Sequence, residues 1–330
     1  MAGQAAVIAG VIEGFYGPPW SHRERLDLIA FCGEEGFRDW VHAPKDDPYH
    51  RQLWREPYPG HELELLAELA AACTSAGVEL AWAAAPGLDI RYSDPRELET
   101  LAAKWQSVSA AGASSLQLLW DDVGRRLRDP DDRRRYGSVG EAQADFTNRL
   151  RARCLDGAPL VVCPLDYAGT KRSAYRDSFG STLDRGAIVY WTGPEVVSKR
   201  IAVADLDRAR SAFGHELVLW DNYPVNDFEP ERLFLGPLRG RDPSLLAGCA
   251  GLIANPMVQA IPSKLPLATV ADFLRDPAGY DPERSFDRAL RRYGEEVVEA
   301  LRRAPQTSLA ASLGPGATAA AALALLEERA

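Results

Sequence analysis

Short apolar runs alternate along this chain with longer stretches in which apolar positions recur at helical spacing. The runs predict strands near Val7–Gly14, Trp40–Ala43, Val78–Ala85, Ser115–Trp120, Leu160–Pro164, Ile188–Thr192, Leu217–Asp221 and Gly251–Asn255. Helical periodicity marks Leu26–Glu35, Leu63–Ala76 and Leu98–Ala110. Helix starts are well signposted: Ser21 to Glu24 and Ser138 to Glu141 have capping-box spacing, and Asp94-Pro95 sets a cap before a first-turn proline. Eight strand–helix units in this order predict an α/β protein built as a (β/α)8 TIM barrel. An open doubly wound sheet is the other option, weakened because neither a GxGxxG nor a Walker loop is present. Past Asp281, Arg284–Arg303 reads as a helix and Ala317–Ala330 is rich in Ala and Leu. We therefore expect a barrel over residues 1–280 and a short helical C-terminal appendage over 281–330, a packing or dimer surface.

With 330 residues, 46% of them hydrophobic, the chain can bury a full core. A formal net charge of −9 argues against a general nucleic-acid binder and suits a neutral or polar substrate. No segment has the ~20 uncharged apolar residues of a membrane span, and the N-terminus lacks a leader pattern, so the expected setting is the cytoplasm. The five cysteines show no CxxC spacing and are expected to be reduced and mostly packed. The five histidines show no metal-binding spacing, so solvated or capping roles and no metal or other cofactor are expected. The absence of a GxSxG elbow removes the support for a Ser-His-Asp triad.

In a barrel the site lies at the C-terminal ends of the strands, so the residues just past each apolar run carry the most information. Strand one leads into Gly14, strand two into Lys45-Asp46-Asp47, strand four into Asp121-Asp122, and strand five into Asp166-Tyr167. Thr192, the segment Trp220-Asp221-Asn222 with Asp227, and Asn255 stand at the ends of the remaining runs. Carboxylates, amides, aromatics and one lysine suit a sugar, whose hydroxyls take directed hydrogen bonds and whose apolar ring face takes an aromatic wall. The adjacent Asp121 and Asp122 stand out. Two carboxylates repel at the end of an apolar strand, but at the bend both can converge on one bound group with different roles. Each residue also has a plainer reading: an N-capping Asp in a solvated loop for the pair, an ion pair with Asp46 or Asp47 for Lys45, and core packing for Trp220. Arg125–Arg135 reads as a solvated loop or one rim of the cleft.

Six ordered motifs carry a resemblance: Glu13-Gly14-Phe15-Tyr16-Gly17, Ala43 to His50, Pro86 to Ile90, Trp120-Asp121-Asp122, Trp191-Thr192-Gly193-Pro194 and Asn255-Pro256. Together they resemble the motifs of glycoside hydrolase family 84, the O-GlcNAcases and bacterial β-N-acetylglucosaminidases, over about residues 7–275. The resemblance implies removal of terminal β-linked N-acetylglucosamine with retained configuration, the substrate's own acetamido oxygen forming an oxazoline intermediate. It implies that Asp121 orients the acetamido N–H and that Asp122 is the general acid and base. Gly14, Lys45, Asn222, Asp227 and Asn255 fall on its sugar-binding positions, Asp227 holding ring hydroxyls. Tyr167, Thr192, Val196 and Trp220 fall on its acetamido pocket, Tyr167 donating to the attacking oxygen. The sequence departs from the family at His42, at Leu165-Asp166 and at Lys171. The expected partner is a glycoconjugate bearing N-acetylglucosamine. Two other classes remain open: a catalytically silent sugar-binding barrel, and a hydrolase using Asp121, Asp122 and Asp227 to hold Mg²⁺.

Overall fold

The structure is a computed structural model that describes residues 8–156, 158–230, 232–292 and 312–313. Eight parallel strands close into a barrel: β1 (Ile8–Glu13), β2 (Asp39–His42), β3 (Glu79–Ala84), β4 (Ser115–Leu119), β5 (Val161–Cys163), β6 (Ile188–Trp191), β7 (Glu216–Asp221) and β9 (Gly251–Ala254). All eight expected strands are present. β9 closes the ring by pairing with β7 through Leu219–Leu252 and with β1 through Ile8–Gly251. Between β7 and β9 lies β8 (Leu233–Phe234), a two-residue strand outside the barrel, antiparallel to β10 (Ser312–Leu313).

Alternation along each strand divides the core in two. One set, including Ile12, Val41, Ala81, Ala83, Leu119, Tyr190, Val218, Trp220 and Ile253, fills the barrel interior. The small alanines of β3 leave room for Tyr190 and Trp220, whose rings meet edge to face at 5.1 Å. The other set, including Trp40, Trp82, Leu118 and Trp191, faces outward onto the helices. Those helices are α1 (His22–Glu35), α2 (Gly60–Ala76), α3 (Pro95–Ala110), α4 (Pro130–Arg135), α5 (Val139–Cys154), α6 (Ala174–Thr182), α7 (Val203–Phe213), α8 (Ala260–Arg275) and α9 (Pro282–Leu290). Ser21 and Glu24 cap α1 reciprocally, while Asp94 and Ser138 cap α3 and α5, because each side-chain oxygen takes a main-chain N–H that the first helical turn leaves free.

Two expectations need correction. Arg125–Arg135 is not simply a solvated loop: Asp129 caps α4 within it, and Asp132 is buried, accepting from the main-chain nitrogens of Tyr92 at 3.0 Å and Ser93 at 2.7 Å. That carboxylate satisfies two donors of the β3–α3 loop and so anchors the segment. Of the histidines, His42, His50 and His215 are buried rather than solvated, and burial pulls the pKa of each down. The His50 ring nitrogen Nδ1 lies 2.8 Å from the Ala83 carbonyl, which fixes it as the donor. All five cysteines are free thiols; Cys32, Cys73 and Cys163 are fully packed, Cys154 and Cys249 partly.

Of the expected helix Arg284–Arg303 the structure shows α9, which starts at Pro282 and ends at Leu290, with Arg291 and Arg292 in a turn; Arg288 ties it to Asp272 on α8 and to Glu35 on α1. Residues 293–303 and 317–330 lie outside the described residues. Among the described residues no helix is long and apolar enough to cross a membrane.

Candidate active site

At the C-terminal ends of the barrel strands a cavity of about 260 Å³ opens to solvent. That is just below the ~300–1,000 Å³ usual for small-molecule sites and suits one sugar ring rather than a length of polymer. Gly14, Lys45, Asp121, Asp122, Tyr167, Thr192, Val196, Trp220, Asn222, Asp227 and Asn255 all line it. Every residue expected at the site is therefore brought together.

The floor is built by an ion pair between two buried groups. Lys45 is 2% exposed and its Nζ contacts Asp121 Oδ2, so its partner is neither of its acidic sequence neighbours. Asp46 and Asp47 are engaged elsewhere: Asp46 accepts from Gly17 N at 3.2 Å, and Asp47 from Tyr49 N at 2.8 Å and Tyr58 Oη at 2.9 Å. The second oxygen of Asp121, Oδ1, is buried and makes no hydrogen bond within the protein. Such an acceptor is costly unless a ligand supplies an N–H or O–H.

Asp122 has a different environment, and the backbone is the reason. Past the end of β4, Trp120 packs outward on α5 with its Nε1 on Thr147 Oγ1 at 3.0 Å. Asp122 then adopts a left-handed conformation with φ 54°, which lets two consecutive carboxylates reach the same cavity. Its oxygens accept from two phenols, Tyr167 Oη to Oδ1 at 2.9 Å and Tyr16 Oη to Oδ2 at 2.8 Å. Burial, with the Asp122 charge adding to it, pushes both phenols well above their ordinary range, so each stays a donor.

Facing the pair is a wall of cross-linked polar and aromatic groups. Trp220 Nε1 and Asn255 Nδ2 both donate to Asn222 Oδ1 at 3.0 Å, and Asn222 Nδ2 donates to the Val196 carbonyl at 2.8 Å. Asn255 Oδ1 accepts from Gly14 N at 3.3 Å, and Asp227 Oδ2 accepts from Tyr16 N at 2.9 Å. Trp220 is not only core, since its ring lines the cavity and lies 5.6 Å from Lys45 Nζ. Gly14 permits this packing: a Cβ there would stand 2.6 Å from Trp220 Cζ2. We expect Gly14→Ala to cost about 1–3 kcal/mol of folding stability, the usual scale of overpacking, and, by pushing the indole into the cavity, to weaken binding there. Calorimetry with N-acetylglucosamine, alongside a melting curve, measures this. Unchanged affinity would mean that Trp220 is not a wall of the subsite.

Sequence reasoning missed Tyr16, Cys163, Val197, Val225 and Phe228, which also line the cavity. Tyr16 and Cys163 could have been found, since both follow or end barrel strands. Arg176 could not. It is 2% exposed and donates to the carbonyls of Asp166, Ala168, Gly169 and Lys171, so it shapes the loop that carries Tyr167. The three departures from the family pattern, at His42, Leu165-Asp166 and Lys171, do not line the cavity. Among the described residues no three His, Cys, Asp or Glu side chains are grouped to hold a metal ion.

A family model described as beta-N-acetylglucosaminidase matches residues 9–305. Two curated relatives, the protein O-GlcNAcases of Rattus norvegicus and Mus musculus, are each 34% identical over 279 residues, covering 83% of this chain. The chain spans 30% of the length of either relative. Among solved structures, a mutant O-GlcNAc hydrolase from Thermobaculum terrenum superposes with TM-score 0.87 at 37% identity, covering 93% of this chain and 68% of that one. CpGH84B superposes with TM-score 0.84 at 32% identity, covering 92% and 55%.

Proposed function

Since the chain belongs to the beta-N-acetylglucosaminidase family, glycoside hydrolase family 84, we propose that it removes terminal β-linked N-acetylglucosamine from glycoconjugates, with retained configuration and through an oxazoline. The observation that carries this reading is the unequal pair. Asp121 holds one oxygen on buried Lys45 and keeps the other unpartnered, while Asp122 stands exposed between two phenols. An acetamido N–H suits the unpartnered oxygen, and fixing that N–H aims the carbonyl oxygen at the anomeric carbon. Asp122, within the same cavity, then protonates the leaving oxygen and later takes a proton from water. Tyr167 supplies a donor for the attacking carbonyl oxygen. Trp220, Thr192 and Val196 close the acetamido pocket, and Gly14, Asn222, Asp227 and Asn255 hold the ring. Five free thiols are consistent with action in the cytoplasm. We read residues 281–330 as an appendage to the 1–280 barrel that serves packing or dimerisation.

The test is turnover of an aryl β-N-acetylglucosaminide by the purified chain, with the first-formed anomer followed by NMR. We expect hydrolysis that yields the β-anomer first and is unchanged by a chelator. Binding of N-acetylglucosamine without turnover would instead identify a silent sugar-binding barrel. Loss of rate on chelation, restored by Mg²⁺, would identify a metal-dependent hydrolase.

A further inference from the structure

We propose that Arg51 is a positioning residue for Asp122, holding its main chain in the left-handed turn and dictating the direction of the hydrogen bond it receives from Tyr16. The inference rests on the glycosidase reading above and deepens it.

Arg51 lies in the β2–α2 loop and is 7% exposed. One guanidinium nitrogen, Nη2, donates to the Asp122 carbonyl oxygen at 3.1 Å, and the other, Nη1, donates to Tyr16 Oη at 2.8 Å. The guanidinium carbon also sits 5.5 Å from the centre of the Tyr16 ring. Both oxygen partners are neutral, so these bonds do not offset the desolvation of the cation as a carboxylate would. What they supply is geometry.

Asp122 is a non-glycine residue at φ 54°, a conformation that persists only where surrounding contacts enforce it. A fork that grips its carbonyl sets the plane of the following peptide and, with it, the origin of the side chain. The same fork fixes a proton. A guanidinium can only donate, so the Tyr16 oxygen accepts from Arg51 and must spend its single proton on Asp122 Oδ2. In the proposed reaction Tyr167 turns its proton toward the acetamido oxygen. Tyr16, oriented by Arg51, is then the donor that stays with Asp122 throughout the cycle.

Wild type is assayed first, on an alkyl and on a 2,4-dinitrophenyl β-N-acetylglucosaminide, so failure of the glycosidase reading itself would show as no turnover. With Arg51→Met, kcat/KM for the alkyl substrate should fall roughly 10²-fold, the scale of an ångström-level misplacement of a catalytic group. The dinitrophenyl substrate, which needs little acid help, should lose less than about fivefold. Affinity for a thiazoline analogue of the sugar should hold within about twofold, because the thiazoline has no leaving group for Asp122 to protonate. In an Asp122→Asn background, replacing Arg51 should have no further effect on either substrate. A uniform loss across leaving groups, or a loss that persists beside Asp122→Asn, would overturn the proposal. Should Arg51→Met fail to fold by circular dichroism, Arg51→Lys carries the same test. An ammonium keeps the charge but not the fork, so the selective loss should recur in milder form, and wild-type rates on both substrates would refute it.

Discussion

Asp122→Ala is expected to lower kcat/KM for poor leaving groups by ~10²–10⁴-fold, the usual worth of general acid help, while lowering it far less for acidic phenols that depart without a proton. Asp121→Ala is expected to damage both classes alike. The difference arises from where the two carboxylates stand. Asp122 is exposed at the cavity and held by the phenols of Tyr16 and Tyr167, so its loss removes a proton donor and leaves the floor intact. Asp121 is the buried partner of Lys45, so its loss takes away the proposed acetamido anchor and leaves an ammonium stranded at 2% exposure. Breaking a buried pair on one side costs about 3–5 kcal/mol, so Asp121→Ala should also lower the melting temperature. Adding Lys45→Met should restore much of that stability and none of the activity. A leaving-group series on both single mutants decides the matter: identical losses would mean that the two carboxylates do not divide the roles proposed here.

N-fluoroacetyl substrates are expected to react progressively more slowly as fluorines are added. Each fluorine withdraws electron density from the carbonyl oxygen that must bond to the anomeric carbon, whereas a protein carboxylate acting as nucleophile would be nearly indifferent. The same chemistry predicts that a thiazoline analogue of the oxazoline binds at least ~10²-fold more tightly than substrate, since a site complementary to the intermediate and its flanking transition states favours their mimic. In this structure the groups for that preference are already in place. Asp121 Oδ1 is buried and unpartnered, Tyr167 is a donor within the same cavity, and the Trp220 indole is held by Asn222. Rates read by stopped assay and affinities by calorimetry would test both parts together. A flat fluorine series with weak thiazoline binding would point to another nucleophile and remove the chemical reason for pairing Asp121 with Asp122.

All eight barrel strands were legible because parallel strands are covered on both faces and must read as apolar runs, and their C-terminal ends had to be where polar residues cluster. Local chemistry was equally plain. Ser21, Asp94 and Ser138 cap helices through bonds to residues two or three positions away, a range the linear chain records. The eleven residues expected at the site line one cavity because a barrel brings the ends of all its strands to one face.

What only the tertiary structure decided is how those residues are wired. Lys45 has two acidic neighbours in sequence and pairs with neither; its partner, Asp121, is 76 residues away and meets it because β2 and β4 end on the same rim. Asp122 gains its two phenols from loops after β1 and β5, and its carbonyl is gripped by Arg51 from the loop after β2. Arg176 serves four carbonyls that no spacing rule links to an arginine. The histidines show the same limit: a spacing without metal chemistry excluded one role, but burial of His42, His50 and His215 depends on which loops fold over them. Periodicity and caps are properties of neighbours along the chain, so the sequence alone determined the barrel and the identity of its polar ends. Hydrogen-bond direction, ion-pair choice and backbone strain depend on separations of a few ångströms between residues far apart in the chain, and those arise only when the barrel closes.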